Sequence, residues 1–395
     1  YCVMKKRRIF CVDFGLCNFH NLRILAEAGH EVFVTNTVPK HTHRAPIDYY
    51  KSLGITLIRD KDVTERDSVQ KQFCIDNKID TVINSWPMYK VQPWMLEYDY
   101  IGLTREAGWL ECRKWWTRTK LEKLGIRLPK LLDEVTAPCV VKPIQTSGNN
   151  DSAAIVLKEN HVDWVRRILD VDPSFEYYIE EYISDAIETN VEFVVSGGKW
   201  SIYHHQQVLG EDTAKVAGGF THWTRFAGYH RLSDDNRELA LENAKTILDW
   251  VATLGGDYLG QITGLVKDGK WYFCEINSRP EQSNSLPYFI TGDEWLEAMH
   301  GKPEIIGDSY GDVQKVVLQP TSPDVPYPFH LHEKHGVNIP CGLDIIQGKH
   351  RLSRQFRSRS PDKCIGILVV DREIPQEFID EVKKDGKYFV SHCFL

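Results

Sequence analysis

A chain of 395 residues is too long for one ordinary hydrophobic core, so two or three domains are expected. Hydrophobic residues make up 42% of it and aromatic residues 11%, which excludes an intrinsically disordered protein. The formal net charge is −7 and no extended basic run occurs, which argues against a general electrostatic grip on nucleic acid.

The cysteines and the hydropathy pattern indicate a cytoplasmic protein. The ten cysteines form no CxxC pair and no Cys/His series with the spacing of a zinc site. Several of them lie in apolar, strand-like segments, as buried thiols do in a reducing compartment. The sequence shows no signal peptide and no apolar run approaching the roughly 20 residues of a membrane span, so we expect no membrane partner.

The first part of the chain alternates between strand and helix patterns, which predicts a parallel α/β domain over residues 1–105. Parallel sheets bind ligands at the carboxyl ends of their strands, so the loops Phe14–Asn18 and Asn84–Tyr89 are the expected ligand edge. The predicted strands are Ile9–Asp13, Glu31–Thr35, Gly54–Ile58 and Thr81–Asn84, and the predicted helices are Asn18–Gly29 and Glu65–Asn77.

Residues 106–310 show strands and helices without strict alternation, which predicts an α+β region. Two hairpins are expected, with turns at Gly197-Gly198 and Asp268-Gly269. The predicted helices are Glu106–Leu124 and Asp235–Thr253, and the predicted single strands are Cys139–Pro143 and Tyr177–Ile183. In residues 311–395, the stretch Pro320–Pro328 looks like a linker, and a strand at Cys364–Val370 and a helix at Pro375–Asp385 predict a small α+β segment.

The segment Trp271–Pro280 carries the strongest functional signal. An apolar-aromatic run ends in Glu275, and Asn277 and Arg279 follow at alternate positions. Side chains two apart on a strand project from the same face, so the three should point into one cleft. Two oxygen ligands and one fixed positive charge suit a magnesium ion that bridges nucleotide phosphates. The alternative is an amphipathic strand that ends in a solvated turn.

Lys142 ends an apolar strand and precedes a small, polar loop, a position in which a lysine usually meets an anion. The Thr146–Asn150 loop supports this interpretation, because its small residues let backbone N–H groups approach phosphate oxygens. It is not a Walker A loop, since no Gly-Lys-Ser/Thr follows. The alternative is an edge-strand lysine that faces water.

A second strand end, Tyr178–Ile183, places two acids before an apolar residue. Its backbone can bind adenine, with a carbonyl that accepts from the exocyclic amine and a later N–H that donates to a ring nitrogen. Glu192, one strand on, is a candidate acceptor for the ribose hydroxyls. The alternative is that Glu180 and Glu181 straddle a strand end with one of them exposed.

In this order and spacing, Cys139–Pro143, Tyr178–Ile183 and Glu275–Pro280 resemble the ATP-grasp superfamily of carboxylate–amine ligases. Ala107–Lys114 and Leu124–Pro129 look like the Leu-Glu-Gly-Ser-Lys helix and the Gly-Ile-Pro exit of phosphoribosylamine–glycine ligases. The resemblance covers most of the chain and implies a multidomain α/β and α+β fold. It would have a parallel α/β pre-ATP-grasp domain over 1–105, an ATP-grasp domain over 106–310 and a small C-terminal α+β segment over 311–395.

The resemblance also implies an ATP- and Mg²⁺-dependent ligase, with Mn²⁺ as an alternative metal, that joins a small-molecule carboxylate to an amine through an acyl phosphate. Arg279 and Lys114 would be the catalytic cations, and Glu275, Asn277 and Gln261 would hold the metal. The residues implied to contact ATP are Lys114, Lys142, Ser147, Gly148, Glu180, Glu181, Tyr182, Ile183, Glu192 and His205.

Two segments compete for the role of a lid over the cleft, Gln145–Asp151 and Glu211–His222. Arg225 follows the second segment and is a candidate for the acceptor pocket, with a surface arginine on a packed hairpin as the alternative. Asn284 is a further substrate candidate, because the pocket around Asn284–Tyr288 would select the acid and the amine.

Two positions depart from the family pattern. Gln261 stands where many ATP-grasp enzymes place a further metal carboxylate, and Arg279–Asn284 replaces the Arg-Phe-Gly-Asp-Pro-Glu run of phosphoribosylamine–glycine ligases. Other ATP-grasp chemistry, amino-acid ligation or carboxylation, therefore stays open, as does a nucleotide-binding member without ligase activity. A nucleic-acid module that stacks bases on Trp and Tyr is disfavoured by the negative charge. Both a monomer and a homodimer are compatible with the sequence.

Overall fold

The computed structural model describes residues 5–12, 19–35, 51–58, 66–84, 87, 90–145, 154–157, 159, 162–163, 165–166, 176–212, 224–280, 286–307, 314–320, 328–337, 367–371 and 373–394. Elements are numbered among these residues. The predicted loop Phe14–Asn18 lies outside them, and of the loop Asn84–Tyr89 only Asn84 and Pro87 are included.

The first part of the chain forms a parallel sheet in the order β3-β2-β1-β4-β5. Its strands are mostly apolar because both faces are covered. Helix α1 packs on one face and helix α2 on the other. The elements are β1 (Arg8–Cys11), α1 (Phe19–Glu27), β2 (Glu31–Thr35), β3 (Thr56–Ile58), α2 (Asp67–Asp76), β4 (Thr81–Asn84) and β5 (Asp99–Gly102).

The core beneath α1 also contains side chains from much later in the sequence. Helix α6 (Gly292–Ala298) packs against α1, and Trp295 and Leu296 share a core with Leu22 and Leu25. The approach is close, since a Cβ added to Gly292 would lie 2.4 Å from the carbonyl oxygen of Ile24. The parallel sheet is therefore joined to the rest of the protein by a continuous apolar interior.

The helix predicted over Glu106–Leu124 is two helices, α3 (Arg105–Cys112) and α4 (Lys114–Lys123). They are separated at Arg113, whose φ of −118° and ψ of 69° do not continue a helix. The Arg113 guanidinium lies 4.1 Å from the centre of the Trp109 ring, in a cation–π contact that accompanies the break. The prediction was wrong here because both segments have helical patterns and only a backbone change at one residue divides them.

Two antiparallel sheets follow. The smaller has the order β6-β9-β7-β8 and consists of β6 (Leu131–Leu132), β7 (Cys139–Pro143), β8 (Ala154–Val156) and β9 (Tyr177–Glu181). The larger has the order β12-β11-β10-β13-β14 and consists of β10 (Ile187–Ser196), β11 (Lys199–Asp212), β12 (Thr224–His230), β13 (Tyr258–Lys267) and β14 (Lys270–Asn277). Helix α5 (Asp234–Val251) packs on one face of the larger sheet. Both predicted hairpins are present, at Gly197-Gly198 and Asp268-Gly269.

The last part of the chain forms a third antiparallel sheet, in the order β16-β15-β17. Pro320, where the linker was expected to begin, ends strand β15, and residues 321–327 lie outside the described set. Among the described residues, no helix is both long and apolar enough to cross a bilayer. The elements are β15 (Gln314–Pro320), α7 (Phe329–His335), β16 (Ile367–Asp371), α8 (Gln376–Lys384) and β17 (Tyr388–Phe394).

Candidate active site

The end of β14 carries Glu275 and Asn277, with Arg279 two residues further on. The Asn277 amide lies 3.5 Å from a Glu275 carboxylate oxygen, so these side chains share a face as the alternation predicted. Asn277 is 5% exposed and Arg279 8% exposed, and the carboxylate of Glu275 is only partly accessible. The solvated turn considered as the alternative therefore does not describe this segment.

A β-bulge sets which face Glu275 occupies. In the β13–β14 hairpin, Gly264 pairs with Phe273 but Thr263 pairs with Glu275, so Cys274 is the extra residue. Without that extra residue, Glu275 would lie opposite Ile262, which belongs to the hydrophobic core. The bulge therefore moves the carboxylate from the core face to the polar face of the sheet.

The side chain of Trp271 fills the space beside the bulge. A Cβ added to Gly264 would lie 1.9 Å from the indole ring, so this close packing requires glycine. The indole N–H donates to the Thr189 hydroxyl at 3.0 Å, and that hydroxyl donates to the Gly264 carbonyl at 3.1 Å. These contacts hold the bulge and so fix the register of β14.

Two rows of polar side chains cross the same face of the larger sheet. Directly paired residues of antiparallel strands project to the same side. The first row is His204, Glu192, Gln261 and Asn277, and the second row is Gln206, Asn190, Thr263 and Glu275. Most of these side chains are buried, which is typical of a binding face and costs free energy unless polar partners are present.

His205 does not join these rows. It pairs with Val191, whose side chain lies in the hydrophobic core. The side chain of His205 therefore projects from one face of the sheet and that of Glu192 from the other. The reason is a second bulge, which makes Tyr203 an extra residue and brings His204 opposite Glu192. The register thus places His205 on the other face of the sheet from Glu192, Gln261 and Asn277.

Helices α3 and α4 meet the end of β14 and the residues just after it through two ion pairs. The Arg279 Nε donates to Glu111 Oε1 at 3.1 Å, and the Lys114 ammonium lies 3.1 Å from Glu275 Oε2. Each helix thus supplies one charge, and the break at Arg113 lets both side chains reach the strand. Burial raises the pKa of Glu111, while the charge of Arg279 acts in the opposite direction.

Lys142 belongs to a buried network on the other wall of the cleft. Its ammonium lies 2.7 Å from Glu180 and donates to the Cys274 carbonyl at 3.2 Å. Arg118 contacts the second Glu180 oxygen and donates to the Pro129 carbonyl at 2.7 Å. Burial alone would lower the pKa of Lys142, but the charge of Glu180 outweighs it and raises the pKa, so the ammonium stays charged. The water-facing edge lysine considered as the alternative is excluded.

The segment expected to hold adenine follows this network. Glu180 is buried at the end of β9, whereas Glu181, Tyr182 and Ile183 are half-buried. The backbone N–H of Glu181 donates to the Lys130 carbonyl at 2.8 Å, and its carboxylate accepts from the Lys130 N–H at 2.8 Å. Tyr182 and Ile183 lie just beyond the strand.

The oxygen atoms near Glu275 fit a magnesium ion. Glu275 supplies a carboxylate and Asn277 an amide, and Gln261 lies beside Asn277 in the first row. The Gln261 Oε1 atom is buried without a hydrogen-bond partner among the described residues, as expected for an unused ligand. Mg²⁺ takes few protein oxygens and leaves its other positions to phosphate and water. Within the described part of the chain, no cluster of three or more His, Cys, Asp or Glu side chains forms an independent metal site.

Several predicted residues cannot be placed in the cleft. Ser147, Gly148 and Asn284 lie outside the described residues, as do most residues of both lid candidates. Arg225 lies on β12 and pairs with Glu211, but the position of its side chain is not among the described features.

Two ion-pair partners were missed in the sequence, Glu111 and Arg118. Both belong to the helical segments that carry Lys114, Arg118 one helical turn after it and Glu111 three residues before it. Arg118 could have been found, because residues four apart on a helix lie on the same face and Arg118 is four residues after Lys114. Glu111 could not, because the direction of its side chain depends on the break at Arg113.

Comparisons with known proteins agree with this architecture. No family model matches the chain. The carbamoyl phosphate synthase large chain of Saccharolobus solfataricus is 26% identical over 183 residues, which cover 42% of this chain and 16% of that protein. The chain therefore matches only a small part of the length of its curated relatives.

Solved structures align over nearly the whole chain. An L-amino acid ligase from Bacillus licheniformis has a TM-score of 0.62 at 12% identity and covers 99% of each chain. The N5-carboxyaminoimidazole synthetase of Staphylococcus aureus, complexed with ADP, has a TM-score of 0.60 at 13% identity over 97% of this chain and 98% of that one. The phosphoribosylamine–glycine ligase of Thermotoga maritima has a TM-score of 0.58 at 15% identity and covers 98% of each chain. The chain has the fold of these ligases and synthetases, which confirms the predicted fold class.

Proposed function

We propose that the chain is an ATP- and Mg²⁺-dependent ligase that joins a carboxylate to an amine through an acyl-phosphate intermediate. The observation that carries the proposal is a cavity lined by Lys114 and Glu275, and also by Cys274 and Glu180, the two residues that Lys142 contacts. The elements α4, β7 and β14 come from distant parts of the chain. Two ammonium groups beside a carboxylate and an amide are suited to a metal-bound triphosphate.

The chain's own groups at the adenine end would orient the nucleotide. In the described part of the chain, Glu180 and the Cys274 carbonyl use two of the three donors of Lys142, which leaves a donor for the base or the α-phosphate. The backbone after Glu181 would hold adenine. Trp115 and Tyr178, whose ring centres are 5.3 Å apart, form an aromatic wall beside it.

At the reacting end, the chain must stabilise negative charge. A carboxylate is a poor electrophile, and transfer of the terminal phosphoryl group to it creates an acyl phosphate from which phosphate leaves when an amine attacks. Lys114 and Arg279 would stabilise the charge on the transferred group, because fixed cations in a partly buried cleft act strongly. Mg²⁺, when bound by Glu275 and Asn277, would neutralise phosphate charge.

The acid and the amine are small molecules, and the side chains at the substrate end of the cleft would select them. Amino-acid ligation and carboxylation are the alternatives within the same chemistry, in line with the L-amino acid ligase and the biotin carboxylase among the structures of similar fold. Under this proposal His204 and Gln206, at the far end of the two polar rows, are candidate substrate contacts.

One observation favours a second candidate, a nucleotide-binding protein without ligase activity. The strand beside β14 presents Gln261 and Thr263 toward the metal residues and no carboxylate. Glu275 is then the single acid of the described metal site, and a ligand set with one carboxylate binds Mg²⁺ less strongly than one with two.

The proposal is tested by measuring the release of ADP from MgATP in the presence of candidate acids and amines, offered singly and in pairs. Ligase activity predicts slow release with the right acid alone and faster release with the pair. Glu275→Ala or Arg279→Ala should lower that rate by about 10²–10³. ATP binding without ADP release under any pair would favour the second candidate, and wild-type rates in both variants would reject the site assignment.

A further inference from the structure

Both oxygens of the Glu275 carboxylate, which would hold the metal, already lie beside nitrogen atoms of the protein. Glu275 Oε2 lies 3.1 Å from the Lys114 ammonium. Glu275 Oε1 lies 3.5 Å from the Asn277 amide nitrogen, so the second oxygen also faces a donor. A divalent cation that binds this carboxylate must therefore share it with Lys114 or displace the ammonium.

The ammonium and the metal compete for the charge of one carboxylate. Both are positive, and Glu275 is the single acid that the described residues of the β13–β14 hairpin place on this face. A cation that approaches Glu275 also meets the repulsion of Lys114, whose side chain is only 17% exposed and therefore poorly screened. Both effects weaken binding of a free metal ion.

A triphosphate reverses this competition. It offers Lys114 an alternative anion of higher charge, and the flexible four-carbon stem allows the ammonium to move onto it. It also supplies oxygen ligands to the metal, which compensates for the missing second carboxylate. The same ligand therefore frees Glu275 and completes the coordination of the metal.

We infer that the protein accepts the metal only as a metal–nucleotide complex, because Lys114 holds Glu275 when no nucleotide is bound. This inference rests on the proposed function and specifies the form of its substrate. It assigns Lys114 two successive partners, the carboxylate in the nucleotide-free protein and the phosphate in the complex. It predicts very weak binding of the free ion.

The inference is tested by measuring how tightly the full chain binds Mn²⁺ in the absence of nucleotide. Electron paramagnetic resonance reports the concentration of the free ion. Lys114→Met removes the competing ammonium and should tighten Mn²⁺ binding about tenfold or more relative to wild type. Lys123→Met, an exposed lysine at the other end of α4, is the matched control and should behave as wild type. The double variant Lys114→Met/Glu275→Gln should lose the gain, because the gain depends on the carboxylate.

Equal Mn²⁺ affinity in wild type and Lys114→Met overturns the inference, as does a gain that survives in the double variant. Lys114→Gln, which keeps a polar side chain, replaces the methionine variant if that variant does not fold. Binding of an ATP analogue with Mn²⁺ by the wild-type protein is measured in parallel. If the wild type binds the analogue and Lys114→Met shows no gain, only the inference fails, whereas absence of analogue binding rejects the proposed function.

Discussion

The ammonium of Lys142 donates a hydrogen bond to the backbone carbonyl of Cys274 at 3.2 Å, although 132 residues separate them. Cys274 is the extra residue of the bulge, and Glu275 follows it directly. The contact joins β7 of the smaller sheet to β14 of the larger one. The lysine expected to meet ATP therefore contacts the residue next to the acid expected to hold the metal.

Glu111 should be required for stability as well as turnover. It is buried against Arg279, so Glu111→Leu breaks a buried ion pair, which typically costs about 3–5 kcal/mol. Glu111→Gln keeps an acceptor for Arg279 Nε and should lose less stability. Urea unfolding of both variants measures the free energy of unfolding. A leucine variant within about 0.5 kcal/mol of wild type would contradict the buried ion pair.

Arg118 and Lys142 should be strongly coupled, because both neutralise Glu180. Either single change to Met leaves the buried carboxylate one cation, and the double change leaves it none from the part of the chain that the structure describes. The loss of unfolding free energy in the double variant should exceed the sum of the single losses by about 1–3 kcal/mol. A double-mutant cycle by urea unfolding gives this difference. Additive losses would show that the two cations do not share the carboxylate.

Gly264→Ala should disrupt the bulge. The new Cβ would overlap the indole of Trp271, and overpacking of a rigid interior typically costs about 1–3 kcal/mol. Turnover should fall as well, because the register of Glu275 depends on the bulge. Gly108→Ala is the matched control: its Cβ would meet its nearest atom at 3.4 Å, and alanine in a helix gains about 0.5–1 kcal/mol over glycine. Equal effects of the two changes on unfolding would contradict this account.

Asp99 should make stability depend on pH at the contact between β5 and the end of α6. It lies 2.9 Å from His300 and also pairs with Arg7. Burial alone would raise the pKa of Asp99, but the hydrogen bond and charge of His300, together with Arg7, outweigh it and lower the pKa. The ionised carboxylate therefore stabilises the fold above its unfolded pKa, and this contribution is lost as the pH falls through the lower folded value.

Asp99→Asn removes the titrating group and provides the measurement. The difference in unfolding free energy between wild type and the variant should be present at about pH 5 and should shrink as the pH falls below about 4. A difference that stays constant down to pH 2, about two units below the ordinary aspartate value, would show that the ionised carboxylate is not the source.

The alternation Glu275, Asn277, Arg279 was predictable because a strand imposes a period of two, and the structure keeps Glu275 and Asn277 together. The faces occupied by His204 and His205 were not predictable. A hairpin paired regularly from the Gly197-Gly198 turn would place His205 opposite Asn190, on the polar face. The extra residue Tyr203 moves His205 to the other face, and a bulge leaves no clear mark in the sequence.

Long-range partners show the same limit. The pairing of Glu111 with Arg279 spans 168 residues and depends on a backbone change at Arg113. The parallel sheet was predictable for the opposite reason. Its apolar strands and alternating helices are local patterns in the sequence. A sheet covered on both faces needs apolar strands and helices to cover it.

The most direct test of the central claim is a crystal structure of the protein with Mg²⁺ and a non-hydrolysable ATP analogue. We expect the metal on Glu275 and Asn277, the phosphates between Lys114 and Lys142, and adenine at the backbone beyond Glu181. A nucleotide bound elsewhere, with the contacts of Lys142 to Glu180 and of Lys114 to Glu275 unchanged and no metal beside them, would contradict the account.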